Sequence, residues 1–478
     1  MPPAASPGLD DRLTHVRFRR ALTLLLMTFF VPGSAQMAAG RKDVGRIAVR
    51  VWLCLLATIA VVVLLGLLWH GLVFWLVSNT VVLAVIRFTL IALAVGWALL
   101  FIDAWRLGQP LELTQRHRLT MVGLNGFLCF SVAGTLLFAA HMVNVQRDFI
   151  STMFGGGLVA EADEGRYNVL LLGGDSGANR WGLRPDSITV ASIDEDTGHT
   201  VLFGLPRNMA DFPFAEGSVM AERFPDGFDC EGCYLNGLST WAADHSRLFK
   251  EYDDPGVQAT IDAVEGITDL DISYYAMVNL AGFRSLVDAV GGVELNVRDR
   301  IPIGGVGGPV TGYIEPGRQR LDGYQTLWFA RSREGADDYS RMARQKCVMG
   351  AMLDQLSPRV VVTKFREIAK ASQDVIVTNL PASELDTFMG LALQAKSQPM
   401  TTLSFVPPMV NTAEPDIDLI HERVQRAIDK SESRGDEDPA APRKKRGAGS
   451  ERATTGGSIG TLAEGYAANQ AVDLDSAC

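Results

Sequence analysis

Three long apolar runs constrain this chain more than any other feature. Val51 to Trp69, Val81 to Ala104 and Met121 to Met142 each approach the ~20 residues that carry a helix across a bilayer core. Only short connections separate them, which argues against buried helices of a water-soluble core and predicts three crossings. Arg87, inside the second run, must snorkel or face a polar neighbour. The connection His70 to Thr80 holds no Lys or Arg, whereas the next one holds Arg106, Arg116 and Arg118. The positive-inside rule then places the N-terminus and the second connection in the cytoplasm, and everything after Val143 outside. Residues 1–50 form a basic N-terminal segment with one shorter apolar run, Ala21 to Val31, closed by Pro32 and Gly33. That run is too short to span and reads as re-entrant or interfacial; a spanning helix reaching toward Gly40 is the alternative.

Charge divides at the same place. Residues 1–150 carry 13 Lys+Arg against 6 Asp+Glu, a balance of +7; residues 151–478 carry 31 against 48, a balance of −17, and the two sum to −10. An acidic outer region argues against nucleic acid as a partner, because neutralising phosphates needs a basic surface. Cysteine usage agrees with the topology. Cys54 and Cys129 lie in membrane runs, while Cys230, Cys233, Cys347 and Cys478 follow them. Outside the cytosol such cysteines read as disulfides. The CEGC loop holds Cys230 and Cys233 with no second CxxC to complete a zinc site, so a disulfide is favoured over a metal or redox role. A Cys347–Cys478 pair that tethers the tail is expected, with other pairings open.

Residues 51–142 are thus a transmembrane region and 143–165 a linker. From 166 to 430 strands and helices interleave. Arg166 to Leu172, Ser187 to Ile193, Thr200 to Leu205, Asp271 to Val278 and Val293 to Val297 read as strands. Asp254-Pro255 opens a helix running to about Val264, and Asn279 to Val290 is a helix stopped by Gly291-Gly292. A last helix covers Asp416 to Lys430. The pattern predicts an α/β domain, an α–β–α sandwich with helices on both sheet faces, preceded by an all-α membrane region. Residues 431–478 are predicted to be a disordered tail, because 431–457 are charged and rich in Gly, Ser and Pro.

Within the outer region Leu327 to Lys346, LWFARSREGADDYSRMARQK, concentrates four arginines. An extended segment would put Arg331 and Arg333 on one side. A helix starting near Asp337 would put Asp338, Arg341 and Gln345 on one face. Paired guanidinium forks beside a polar helix face suit a pyrophosphate; a salt-bridged helix start is the plain alternative. Gly173-Gly174-Asp175-Ser176-Gly177 follows a strand but lacks the lysine ending of a nucleotide loop. Arg184-Pro185-Asp186-Ser187 and Leu205-Pro206-Arg207-Asn208 stand at other strand ends. Asp175 and Asp186 form a pair that suits Mg²⁺, with an Asp–Arg bridge as the structural alternative. Val169 to Leu172 and the Phe283, Leu286, Val287, Val290 face read as core, and His245 and His421 have no partner at ligand spacing.

In order, NVLLLGGDS, RPDSITV, LPRN, LNGL, YYAMVNLAGFRSLVDAVGGVELNV and LDGYQTLWFARSREGADDYSRMARQK resemble the LytR-CpsA-Psr family of cell-wall glycopolymer ligases, across about residues 166–350. The multi-pass N-terminus with its TLLLMTFFVPGSAQ segment is similar to actinobacterial members. The resemblance implies a polyprenyl pyrophosphate whose tail lies in an apolar tunnel and whose head meets arginines. It implies transfer of a glycopolymer phosphate from that lipid to a peptidoglycan hydroxyl. Asp175 and Asp186 would hold Mg²⁺. Arg184, Arg207, Arg331, Arg333, Arg341 and Gln345 would contact the pyrophosphate, with Asp338 beside them. Asp175, Asp186, Arg331, Arg333 and Asp338 form the catalytic set, and Asp175 or Asp338 would orient or deprotonate the acceptor. The chain departs from the family at Asn208, where a carboxylate is usual, and at Tyr234, often lysine. A non-catalytic sensor that binds the lipid-linked polymer, and a polyprenyl pyrophosphate hydrolase, are the rival readings.

Overall fold

The computed structural model describes residues 7–68, 75–154, 159–175, 184–305, 308–335, 337–355, 376–398, 400–435, 469 and 474. The chain forms two compact units, Met1–Thr152 and Met153–Cys478.

The first unit is helical: α1 (Pro7–Phe30), α2 (Ser34–Ala38), α3 (Lys42–Leu68), α4 (Thr80–Leu107) and α5 (Gln115–Met153). Among the described residues three helices are long and apolar enough to cross a membrane, spanning Lys42–Gly66, Thr80–Leu107 and Gln115–Thr152. They present large apolar side chains outward, among them Phe88, Leu99, Phe127 and Phe130. In water such a surface is unfavourable; against lipid it is not. The short run Ala21 to Val31 is not a separate element. It forms the second half of α1 and packs Ala21, Leu24 and Leu25 against Phe101 and Ala104 of α4. The chain turns at Gly33, whose φ of 91° a residue with a Cβ rarely adopts. Gln36 then donates from Nε2 to the Leu100 carbonyl at 3.0 Å. Arg87 finds the polar neighbour its burial in a membrane helix demands, the Asn144 amide oxygen on α5. Cys54 and Cys129 are free thiols.

The second unit is built on a mixed six-stranded sheet in the order β10-β3-β2-β1-β4-β9. Its strands are β1 (Arg166–Asp175), β2 (Arg184–Asp194), β3 (Thr200–Leu205), β4 (Tyr274–Asn279), β9 (Ile376–Thr378) and β10 (Thr401–Ser404). Two-residue periodicity divides the sheet faces. Leu170, Leu172, Ile188, Val190, Val201, Phe203 and Leu205 point to one face and are buried there. Two longer helices, α8 (Pro255–Thr268) and α13 (Ile417–Gly435), cover that face, with the short α6 (Val219–Arg223) and α7 (Leu238–Asp244) beside them. Asp254 caps α8 by accepting from the Gly256 and Val257 amides at 3.0 and 3.1 Å.

The opposite face meets α9 (Leu280–Val290), α10 (Gly323–Arg331), α11 (Asp338–Gln355) and α12 (Leu385–Ser397). The sandwich is therefore α–β–α. A side cluster joins α9, α10 and α11 to two small antiparallel pairs, β5 (Val293–Val297) with β8 (Gly317–Leu321) and β6 (Ile301–Gly304) with β7 (Val310–Ile314). Strand β4 begins at Tyr274, three residues later than Asp271, because the Asp271 carbonyl accepts from the Asn168 side chain instead of a ladder partner. Cys230 and Cys233 form a disulfide. Cys347 is disulfide-bonded too, and Cys478, its expected partner, lies outside the described residues. Two residues of the segment expected to be disordered, Asn469 and Leu474, are buried.

Phe203 is wholly buried and stacks on Phe405 with ring centroids 6.3 Å apart. Phe203→Ala is expected to cost about 3–5 kcal/mol, the usual penalty for emptying an aromatic site in a core. Chemical unfolding of the full chain in detergent, followed by tryptophan fluorescence, measures it.

Candidate functional site

The second sheet face carries small and aliphatic residues: Val169 and Leu171 on β1, Thr189 and Ala191 on β2, Leu202 and Gly204 on β3, Ala276 and Val278 on β4. The helices above do not fill the space. A cavity of about 600 Å³ remains, walled on the helix side by Phe283, Met342, Met349, Met352, Leu353 and Phe388. Asp186 and Ile193 both line it. Seven residues of extended strand separate them, so the cavity runs roughly 23 Å along the sheet. Val169 and Leu171 thus line a cavity, while Leu170 and Leu172 belong to the packed core. The expectation that the whole segment is core holds for half of it. Phe283 likewise lines the cavity, and Val287 of the same helix is core.

One end of the cavity is polar. It lies at the carboxyl ends of β1, β3 and β4 and the start of β2, the usual ligand position in an open α/β sheet. Asp186, Arg207, Asn279, Arg331, Arg333, Arg341 and Gln345 line this mouth. Local structure aims them there. Between Gly173 and Gly174 the β1–β2 register shifts: Gly173 opposes Ser187 and Gly174 opposes Pro185. Asp186 is the extra residue of that bulge, and a bulge re-aims a side chain. Asp175 pairs through its Cα with Arg184 at the end of the same ladder. The Asp175 side chain lies outside the described part. Arg184 is exposed and is not among the residues lining the cavity.

Arg331 and Arg333 are not on an extended segment. Asp322 caps α10 in a capping box with Gln325, and Arg331 is that helix's last residue. Ser332 leaves the helix and donates from Oγ to the Pro302 carbonyl at 2.8 Å. Arg344 fixes this turn from α11. It is wholly buried, donating from Nε to the Phe329 carbonyl at 2.7 Å and from Nη2 to that of Ser332. Burial first, then the nearby Arg341 charge, lowers its pKa to about 10, so it stays protonated at neutral pH. Arg344 was absent from the expected site residues although it stands three residues after Arg341. Helical angle alone does not separate an arginine that reaches a ligand from one that fastens the loop beside it.

Asp338 sits at the centre of the polar end. Its carboxylate oxygens lie 3.1 and 3.3 Å from Arg207 and 3.0 and 3.2 Å from Arg341. Arg207 also pairs with the Asp186 carboxylate, and Arg341 donates to the Asp186 carbonyl at 2.9 Å. The result is one alternating line, Asp186–Arg207–Asp338–Arg341, tying β2 and the end of β3 to α11. Burial alone would raise the Asp338 pKa; the charges and hydrogen bonds of Arg341 and Arg207 outweigh it and hold the carboxyl below the ordinary range. Asp338 therefore orients two arginines and is poorly suited to accept a proton. Burial pulls the Arg207 pKa down, and Asp338 and Asp186 push it up further, leaving it raised.

An α/β domain with a cation-mouthed apolar cavity, in a chain with three helices able to cross a membrane, is the class these observations define. The model of the LytR_cpsA_psr family matches residues 140–417, and the chain belongs to that family. Biofilm regulatory protein A of Streptococcus mutans is 25% identical over 273 residues, 55% of this chain and 62% of that protein. The polyisoprenyl-teichoic acid–peptidoglycan teichoic acid transferase TagV of Bacillus subtilis is 28% identical over 152 residues, 31% and 38% of the two chains. Cell wall biosynthesis protein LcpA of Corynebacterium glutamicum is 24% identical over 303 residues, 57% of each. The chain spans less than two thirds of the length of each of these three. Among solved structures it is similar to B. subtilis TagV, at 21% identity and a TM-score of 0.40, covering 56% of this chain and 98% of that one.

The Asp338 pKa is lowered in the folded chain, so its stabilisation is complete above the unfolded-state value and disappears as pH falls through the folded one. Asp338→Asn is expected to lose roughly 3 kcal/mol at pH 7, the scale for stripping one partner from a buried pair. The gap to wild type should narrow below about pH 4, where an unperturbed aspartate protonates. Denaturant unfolding of both proteins as a function of pH checks it.

Proposed function

We propose that this chain is a membrane-anchored phosphotransferase that moves a glycopolymer phosphate from a polyprenyl pyrophosphate carrier to a peptidoglycan hydroxyl. The observation that carries the reading is the union, in one cavity, of long apolar walls and a mouth lined by Arg207, Arg331, Arg333 and Arg341. A polyprenyl chain matches the first and a pyrophosphate the second, since guanidinium forks bind phosphate oxygens in pairs. The names of TagV and LcpA as a teichoic acid–peptidoglycan transferase and a cell wall biosynthesis protein support the polymer and acceptor classes. The three apolar helices and the arginine-rich second connection support an N-terminus in the cytoplasm and this domain outside. Lipid-linked polymer and cell wall meet on that side.

In the transfer, the acceptor oxygen attacks the sugar-linked phosphorus. The bridging P–O bond breaks, polyprenyl phosphate leaves, and the hydroxyl proton passes to a base. Phosphoryl transfer depends mostly on position and charge stabilisation. Arg331 and Arg333, on a turn fastened by Arg344, and Arg207 and Arg341, aligned by Asp338, supply both. Asp338 is held ionised between two guanidinium groups, which leaves Asp175 as the better proton acceptor of the two.

Mg²⁺ fits the donor set in part. Asp186 stands on the bulge, two residues along β2 from the partner of Asp175, so both acids occupy one end of neighbouring strands. Among the described residues no group of three or more His, Cys, Asp or Glu is arranged to hold a metal. Two carboxylates accord with the habits of Mg²⁺, which completes its shell with phosphate oxygens and water. Asp186 would have to share its carboxylate between the ion and Arg207. A bound Mg²⁺ supplies charge neutralisation at the pyrophosphate.

The test is to incubate the full chain in detergent with a polyprenyl-pyrophosphate-linked sugar, a peptidoglycan oligomer and Mg²⁺. A covalent sugar–phosphate–peptidoglycan product is expected. Free sugar phosphate would instead indicate a hydrolase, and binding without turnover a sensor. Arg333→Ala should lower product formation by at least about a hundredfold, the scale for removing one charge-stabilising donor; unchanged turnover contradicts its role. Asp186→Asn should raise the Mg²⁺ concentration needed for half-maximal rate, and an unaltered Mg²⁺ titration removes Asp186 from the metal set.

A further inference from the structure

We propose that two C-terminal residues, Asn469 and Leu474, close the flank of the cavity along the edge strand β10 and make its grip on a long apolar chain depend on them. The inference rests on the polyprenyl reading of the cavity.

The order β10-β3-β2-β1-β4-β9 leaves β10 at the rim of the sheet, so the gap between β10 and α11 needs a separate cover. Leu474 supplies it. Its amide donates to the Met400 carbonyl at 3.1 Å, one residue ahead of β10. Its side chain is 4% exposed and packs with Ala191, Leu202, Met349 and Met400. Those four residues also line the cavity. Helix α11 is shaped for the contact: a Cβ added at Gly350 would stand 3.2 Å from Leu474 Cγ and 3.3 Å from its Cδ2. Glycine is costly inside a helix, and here its lack of a side chain admits the leucine.

Asn469 does the same nearer the mouth. It is fully buried; its Nδ2 donates to the Tyr339 carbonyl at 2.7 Å, and its own carbonyl accepts from Lys346 Nζ at 3.2 Å. Lys346 lines the cavity and is buried, and that burial lowers its pKa to about 7. An amine in an apolar wall needs an acceptor, and the C-terminal backbone provides one. Tyr339, Lys346, Met349 and Gly350 follow α11 from its first turn toward its end. Asn469 and Leu474 therefore run beside the helix along the cavity's length. Without them the wall residues would face water, and an apolar chain inside would lose the dry surroundings that hold it.

The experiment compares two ligands on the full chain in detergent: a long-chain polyprenyl pyrophosphate and a pyrophosphate carrying one isoprene unit. Wild type should bind the long chain much more tightly. Leu474→Asp should weaken the long-chain ligand by about tenfold or more, equivalent to a tenfold step in Kd, and leave the one-isoprene ligand within about twofold. Gly350→Val, which pushes on Leu474 from the helix side, should show the same split and guards against a folding defect peculiar to the aspartate. Unchanged long-chain affinity in both variants overturns the inference, and so does an equal loss for both ligands, which marks a general structural role. Wild-type affinity that does not rise with chain length overturns the polyprenyl reading itself, and this inference with it.

Discussion

The carboxylate of Asp338, shared between Arg207 and Arg341, is the contact on which the rest of the site depends. It joins the end of β3 to the first turn of α11 across the cavity mouth. Two guanidinium groups would repel each other at this separation in a half-buried setting. The anion between them makes their approach favourable and leaves their remaining N–H groups directed at a common space. Asp186 extends the line on the other side of Arg207. Charges that would each be expensive to bury alone become a prearranged anion site.

Behind that mouth, the two sheet faces divide the work. Strands β1, β2 and β3 send alternate residues to a filled core and to a cavity of about 600 Å³. The filled face anchors the strands, so the opposite face can remain open without collapse. Glycines and alanines on the open side, such as Gly173, Ala191 and Gly204, lower the floor, and methionines of α11 form an adaptable roof. Arg344 belongs to the same scheme: a buried cation satisfied by backbone carbonyls fastens the Arg331–Arg333 turn to the roof helix.

Much of this was legible in the sequence. The strands through β4 were readable because β-branched and aliphatic residues alternate or run together between turn signals, and the caps Asp254 and Asn279 mark their helices. The membrane helices were readable from length and apolarity alone, although each helix extends past its apolar run. The gathering of Asp186, Arg207, Arg331, Arg333, Arg341 and Gln345 at one cavity follows residues the sequence singled out. The cavity was not legible, because Val169 and Leu171 have the same chemistry as Leu170 and Leu172; what distinguishes them is whether a helix fills the space above. Arg344 escaped for a similar reason, and Arg331 was placed on a strand because the capping box at Asp322 was not weighed. Asn469 and Leu474 were lost in a segment whose average composition is polar, and an average does not show two residues that fit a groove.

The central claim is that a polyprenyl pyrophosphate lies between this sheet and α11 with its head at the four arginines. Photolabelling measures this most directly: a polyprenyl pyrophosphate bearing a diazirine within its chain is irradiated with the full chain in detergent, and the labelled peptides are sequenced. The account predicts label on the Met342–Leu353 stretch of α11 and on Val169–Leu171 of β1, suppressed by excess unlabelled pyrophosphate lipid. Label confined to the three membrane-spanning helices, or insensitive to that competitor, would contradict it.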